Sequence, residues 1–425
     1  MALTIFLGLF VLLFILGMPI AFAMIFSATV YALMAGIDLG FMAIQMFTGL
    51  DSFVLLAIPL FILASEVMNH SSVAKRIFDF ANALVGFIPG GLAHVNVVSN
   101  IIFSGMSGSA VADVGGIGRI CYKAMVKDGY EAPFSAAVTA SAAVIGPIIP
   151  PSIPMVVFSM VSGVSVARLF FGGAVPGLII GLFMMIYIYI VAKKRGYPCS
   201  ARQTFAQVVA TTIQGFFPLL TPVIMLGGIW LGFVTITEAA ALAVFYTLVL
   251  GVVAYRLMGV RKFIECLRNV FIFCGPILIL LPAAMIFGFV LTSENIPMIF
   301  TNFVLGISSN TIFILFAINF LFIVLGCISD PVVNIMMFVP IVMPLAHTIG
   351  MDPVHFGVMV VFNCMIGLVT PPVGTLLFCL CGFEGMRLET LVQAMWPFLW
   401  ILFGILVLIT AFPPLVLALP NFLLG

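Results

Sequence analysis

The stretch "SGMSGSAVAD", Ser104 to Asp113, gathers three hydroxyls, two glycines and a carboxylate in a chain that is otherwise almost entirely apolar. It is followed by "GPIIPPSIP", Gly146 to Pro154. Much later "LGCISDPVVN", Leu325 to Asn334, is followed in the same way by "GLVTPPVGT", Gly367 to Thr375. One constant offset carries Gly105 onto Gly326, Gly146 onto Gly367 and Pro150-Pro151 onto Pro371-Pro372. Two separated motifs sharing one offset imply a duplicated unit. Between them "EAPFSAAV" matches "MDPVHFGV" loosely, with a one-residue slip.

The composition says where such a unit sits. Of 425 residues 64% are hydrophobic and 7% charged, with a mean hydropathy of +1.36, whereas charged residues make up roughly a quarter of a soluble domain. Uncharged runs such as Met1 to Ile37, Ala132 to Ala167 and Asn295 to Ser329 each exceed the roughly 20 residues of a membrane span. The chain is a polytopic membrane protein with room for on the order of a dozen membrane elements. Its first apolar run lacks a basic n-region and an A-x-A site, and is expected to stay as a retained helix. A net charge of +1 excludes a basic nucleic-acid surface. The eight cysteines lie scattered in apolar runs, with no C-x-x-C pair, and fit buried small hydrophobes rather than disulfides or zinc ligands. The basic breaks "KKRGYPCSAR" and "YRLMGVRKFIECLR" are loop-sized, so any soluble partner is a separate chain.

Lys75, Arg76, Arg119, Lys123 and Lys127 surround the first motif, which places its flanks in the cytoplasm. The flanks of the second motif hold neither Lys nor Arg; from Arg268 to the C-terminus only Arg387 is basic in that sense. The expected architecture is therefore an all-α inverted-topology repeat with two re-entrant hairpins and two broken helices, as in many secondary transporters. The first repeat is expected over 1–205, with a hairpin at about 94–125 and a broken helix at about 132–165. The second is expected over 206–425, with a hairpin at about 315–346 and a broken helix at about 354–385.

Gly and Pro free backbone carbonyls that lipid does not satisfy. A hard cation such as Na⁺ satisfies them, and hydroxyls complete its shell. The donors in the first copy are Ser107, Ser109 and the carbonyls of Gly146, Ile149 and Pro151; in the second, Gly326, Ser329 or Asp330, Thr370 and Val373. The half-helix N-termini would turn partial positive charge toward an anion. The competing reading is packing alone, with Gly105-x-x-Gly108 as a close helix crossing and Pro-Pro as a kink. Packing does not require polar oxygens to recur at one offset. Asp113 and Asp330 are the carboxylates most deeply set in apolar sequence, where charge is costly. Asp330 suits a cation role at a hairpin tip. Asp113 suits either substrate hydroxyls or a structural hydrogen bond at the tip.

Glu238, in "FVTITEAAALAV", has the spacing of a helix cap, and Glu66 and Glu294 end apolar runs as interfacial residues. The four histidines are dispersed, and Asp352-x-x-His355 lacks the further ligands a metal needs. No P-loop and no H-E-x-x-H motif is present. An intramembrane aspartyl protease would use two buried Asp residues, but neither lies in a Gly-x-Gly-Asp context and the Pro-Pro partners would go unexplained. A channel would not need an unwound site in both halves.

In order and spacing, "SGMSGSAVADVGGIG", "GPIIPPSIPMVVF", "GGIWLGFVTITEAAALAVFY", "GCISDPVVNIMMFVPIVMPLA" and "GLVTPPVGTLLF" resemble the large membrane subunit of tripartite ATP-independent periplasmic (TRAP) transporters. "LLFILGMPIAFAM" and "DSFVLLAIPLFILASEVM" extend the resemblance over nearly the whole chain. The resemblance implies a Na⁺-coupled, elevator-type transporter of the bacterial inner membrane. It implies two partners, a small four-helix membrane subunit and a periplasmic substrate-binding protein. Sodium sites carried over by motif fall on Ser107, Gly146, Ile149 and Pro151 for one ion and on Gly326, Asp330 and Thr370 for another. Substrate contacts are expected from Ser109, Asp113 and Ser152. Many dicarboxylate carriers of the family resemble this chain but have Thr in place of Asp113, a departure that resembles the sialic-acid branch. The pattern of the large subunit begins at once, so the small subunit is expected as a separate polypeptide. The expected activity is import of an organic anion, sialic acid first and a C4-dicarboxylate next. The alternative within transport is a Na⁺/carboxylate symporter independent of a binding protein.

Overall fold

The computed structural model describes the chain except for residues 72 and 201–203; the expected repeat boundary at 205 lies beside the latter. Among the described residues the structure is helical, with no strand. The N-terminal helices are α1 (Ala2–Ile15), α2 (Ile20–Ala35), α3 (Leu39–Leu50), α4 (Ala57–His70) and α5 (Val73–Val85). The first hairpin runs up α6 (Gly91–Ser107) and back through α7 (Ala110–Asp113), a π-helical turn Val114–Gly118 and α8 (Arg119–Lys127). The first broken helix is α9 (Ala132–Ala143) and α10 (Ile153–Ser162), and α11 (Val166–Arg195) closes the unit.

The second unit opens with α12 (Phe205–Trp230), α13 (Ile236–Val249), α14 (Val260–Ser293) and α15 (Ile296–Ile307). Its hairpin is α16 (Thr311–Ile328) and α17 (Pro331–Thr348). Its broken helix is α18 (Pro353–Leu368) and α19 (Thr375–Glu384), followed by α20 (Leu388–Ala411) and α21 (Pro414–Leu424). Among the described residues seven helices are long and apolar enough to cross a membrane, and eight shorter apolar ones accompany them. Large apolar side chains such as Phe271, Phe303 and Ile312 stand on the outer surface, while Asn96, Asn100, Thr139 and Asn363 are buried. That is the arrangement of a chain dissolved in lipid, where polar groups are satisfied inside.

Local signals set the helix ends. Thr235 and Glu238 form a reciprocal capping box at the start of α13, as the spacing predicts. Glu131 precedes α9 and Asp352 precedes α18 at the same offset that joins the glycines, so the slip seen in the sequence disappears at the caps. Asp352 caps α18 through the amides of Val354 and His355, and His355 Nε2 lies 2.9 Å from the Ile409 carbonyl. These are structural roles, and no cluster of metal-ligating side chains occurs among the described residues.

Packing between the units is reciprocal. Helix α9 packs on α20 as α18 packs on α11, α4 on α13 as α14 on α2, and α10 on α17 as α19 on α7 and its π turn. Exchanged pairs of this kind are what a two-fold axis produces. The first hairpin carries Arg119, Lys123 and Lys127 at its base and the second carries no Lys or Arg. The axis therefore lies in the membrane plane and the repeats are inverted.

Within each unit a buried amide ties the hairpin to the broken helix. Asn96 Nδ2 donates to Thr139 Oγ1 at 2.7 Å, from α6 to α9. Asn363 Nδ2 donates to Asn319 Oδ1 at 2.7 Å, from α18 to α16. Such bonds inside membranes contribute about 0.6–2 kcal/mol each.

Candidate functional site

The first hairpin turns at Gly108, whose φ of +62° ends α6 in the left-handed region. A Cβ there would lie 2.7 Å from the Pro151 carbonyl oxygen, so glycine meets both the turn and the close approach. The next residue, Ser109, caps α7 by accepting from the Ala112 amide. The Ile153 amide, at the start of α10, donates to the Gly108 carbonyl at 3.3 Å and joins the break to the tip.

The second tip is built by equivalent means from different residues. Asp330 caps α17 by accepting from the Val332 amide at 2.8 Å, and Gly374, at the start of α19, donates to the Cys327 carbonyl at 3.3 Å. Ser109 and Asp330 stand at one offset, as do Ile153 and Gly374. Under that offset the partner of Asp113 is Asn334 rather than Asp330. Each accepts from a tip serine, though the two serines stand one position apart under the offset: the Ser107 hydroxyl donates to Asp113 Oδ1, and the Ser329 hydroxyl donates to Asn334 Oδ1. Each tip thus has one carboxylate, at the fourth helical position in the first and at the cap in the second.

The breaks lie behind the tips, and both Pro-Pro peptides are cis. In the first, the Ile148 carbonyl packs where a Cβ on Gly173 would approach it to 2.1 Å, and the Ile149 side chain rests on Gly177. In the second, Gly326 and Gly367 touch backbone to backbone, and a Cβ on Gly367 would come within 2.4 Å of the Gly326 Cα. Thr370 Oγ1 donates to the Ile366 carbonyl at 2.7 Å. The first break is largely buried, whereas Pro372, Val373 and Thr375 of the second are exposed.

Both tips open onto one cavity of about 360 Å³. Ser107 to Ala112 line it from one side and Asp330 to Val333 from the other, with Pro147, Ile153 and Pro154 from the first break. Ser65 and Glu66 on α4, and Phe273 and Ile277 on α14, close it. The first residues of α10 and α17 face inward, so partial positive charge at two helix starts converges with the Asp330 carboxylate and the serine hydroxyls. A larger cavity of about 920 Å³ adjoins it, with Glu66, Val111, Ala112 and Phe273 in the walls of both. Its walls include Arg119 and Lys123, which puts it on the cytoplasmic side.

Of the residues singled out from the sequence, Ser107, Ser109 and Asp330 line the inner cavity. Gly146, Ile149, Pro151, Gly326, Thr370 and Val373 stand in the helices and breaks behind it. Two expected substrate contacts take other positions. Ser152 is buried and its hydroxyl is spent on the break itself, donating to the Pro147 carbonyl at 2.5 Å and accepting from the Met155 amide at 3.2 Å. Asp113 is fully buried one residue beyond the lining, with Oδ1 on Ser107 and Oδ2 against Gly146, where a Cβ would be 2.0 Å away. Its position is that of a support for the tip. Glu66 is a wall residue of both cavities rather than an interfacial one. Asn334 was legible from the offset alone; Ser65 and Phe273 carry no local signal, because only tertiary packing brings α4 and α14 to the tips.

A family model described as "Tripartite ATP-independent periplasmic transporter, DctM component" matches residues 7–415. The sialic acid TRAP transporter large permease protein SiaM of Vibrio cholerae is 38% identical over 410 residues, covering 96% of either chain. The C4-dicarboxylate TRAP transporter large permease protein DctM of Pseudomonas aeruginosa is 39% identical over 386 residues, covering 90% of either. Among solved structures, the crystal structure of the Alcanivorax borkumensis YdaH transporter superposes with a TM-score of 0.63 at 11% identity, over 88% of either chain, a likeness of fold.

Proposed function

The chain belongs to the tripartite ATP-independent periplasmic transporter family as its DctM component, a multi-pass large permease of the bacterial inner membrane, and from that premise we propose that it is a Na⁺-coupled importer of an organic anion. The observation that carries the proposal is the single cavity shared by both hairpin tips. Its walls offer hydroxyls at Ser107 and Ser109 and a carboxylate at Asp330, a donor set that suits a hard cation, with the carbonyls of the two breaks standing behind them. Asp113 Oδ2 is a buried carboxylate oxygen with no hydrogen-bond donor, which also favours positive charge beside the first tip. One ion would be held by Ser107 with the carbonyls of Gly146, Ile149 and Pro151. The other would be held by Asp330 with Gly326, Thr370 and Val373.

The substrate would lie between the tips, near Ser109, with its carboxylate toward the starts of α10 and α17. Sialic acid is the leading substrate class, supported by the identity to SiaM over nearly the full length; a C4-dicarboxylate is next, on the likeness to DctM. A periplasmic binding protein would deliver it, and a small four-helix membrane subunit would complete the complex. Hairpins and broken helices, tied by Asn96–Thr139 and Asn363–Asn319, would move as one body against the remaining helices in an elevator motion.

Reconstituted uptake of labelled N-acetylneuraminate and succinate tests this, with and without a Na⁺ gradient and the binding protein. Uptake that needs both is the expected result. Uptake indifferent to Na⁺ overturns the coupling, and uptake indifferent to the binding protein favours an independent symporter.

A further inference from the structure

Two helices line the outer cavity, each with titratable residues four positions apart on one side. Helix α8 presents Arg119 and Lys123, and α4 presents Glu66 and His70. Glu66 stands at the neck, since it lines both the inner cavity and the outer one; Arg119, Lys123 and His70 line only the outer one. The Glu66 carboxylate is held by Asn269 Nδ2 at 2.8 Å, with His70 Nε2 3.9 Å from the same oxygen. An anion leaving the tips therefore passes a carboxylate and then reaches two cations, in a concave space whose apolar walls concentrate their field.

We propose that Arg119 and Lys123 form a release station, a second anion-binding site that receives the substrate carboxylate on the cytoplasmic side of the Glu66 neck. The inference rests on the reading of the chain as an organic-anion importer. The volume of about 920 Å³ is that of a site for a molecule of sugar-acid size with its water. A role as topological anchors alone would require these side chains only to reach the cytoplasmic interface. Here they line a cavity that shares Glu66, Val111, Ala112 and Phe273 with the cavity at the tips. The neck carboxylate separates loading from release: an anion that has passed it is drawn outward by the station and opposed on return.

Cys379, half-buried in the wall of the same cavity, serves as reporter. In the assembled complex, with Cys199 and Cys381 replaced by Ser, inside-out vesicles are treated with an anionic sulfonatoethyl and a cationic trimethylammonioethyl thiosulfonate. The ratio of anionic to cationic modification rates at Cys379 is measured. Arg119→Gln with Lys123→Gln should lower that ratio about tenfold, Arg119→Lys with Lys123→Arg should keep it, and Glu66→Gln should raise it. N-acetylneuraminate or succinate in the medium should slow modification in the background and not in the double Gln variant. An unchanged ratio in the Gln variant, or modification that neither anion slows in the background, overturns the station. The readout needs neither Na⁺ nor turnover, so Na⁺-independent uptake by the unaltered protein would sink the proposed coupling without touching this result.

Discussion

The Ile153 amide donates to the Gly108 carbonyl at 3.3 Å, and so ties the start of α10 to the tip of the first hairpin. Its counterpart in the second unit, Gly374, donates to Cys327 at the same distance. Neither bond belongs to a helix. Each joins the two interrupted segments of its unit at the depth where lipid offers no partner, so the tips and the breaks are held as one structure.

Asp330 is the tip carboxylate exposed to the cavity. Asp330→Ala should abolish Na⁺-dependent uptake while the complex still assembles, because the lost cap costs only about 1 kcal/mol. The check is a Na⁺ titration of uptake beside a detergent-stable chromatographic peak; wild-type Na⁺ dependence would remove Asp330 from the cation site.

Asp113 and Asn334 occupy equivalent positions. Asp113→Asn keeps an acceptor for the Ser107 hydroxyl and nearly the same shape, but removes the charge. The variant should melt within about 1 kcal/mol of wild type and require roughly tenfold more Na⁺ for half-maximal uptake, a shift worth about 1.4 kcal/mol. An unaltered Na⁺ requirement would leave Asp113 a purely structural acceptor.

Gly146 and Asp113 touch, with a Cβ on Gly146 placed 2.0 Å from the carboxylate. Gly146→Ala should destabilise by about 1–3 kcal/mol through overpacking. Adding Asp113→Ala should recover part of that loss, since contacting residues are not additive. Thermal melts of the two single variants and the double close the cycle; strict additivity would contradict the contact.

Gly367→Ala meets the Gly326 backbone rather than a side chain. Backbone has no rotamer by which to yield, so this change should lower the melting temperature more than Gly146→Ala does. Equal melting temperatures would mean that α16 and α18 part without cost.

Thr235→Ala removes one side of the capping box at α13, whose two residues are not in the walls of either cavity. It should cost about 1 kcal/mol in stability and leave the Na⁺ dependence of uptake unchanged. A shifted Na⁺ requirement would show that α13 is coupled to the site.

Much of this molecule is legible without coordinates because its rules are local or periodic. Apolar runs longer than a bilayer is thick imply spans, and the unequal Lys/Arg content of two matching motifs implies inversion. Glu238 was readable as a cap because a capping box occupies four consecutive positions. The roles of Asp113 and Ser152 were less legible. Both are polar and near a break, but the direction of a side chain depends on which neighbour approaches it. Gly146 comes close enough to enclose Asp113, and the Pro147 carbonyl lies where the Ser152 hydroxyl turns.

By itself the sequence determined the membrane setting, the duplication, the two interruptions and the residue types able to meet a cation, since each follows from composition or from one repeated spacing. Only the tertiary structure decided that both tips share a cavity and that Glu66 stands in its wall. Those relations depend on α4, α14 and the two hairpins meeting across hundreds of residues. The meeting is set by packing and by the need to satisfy buried polar groups, for which no spacing along the chain is a substitute.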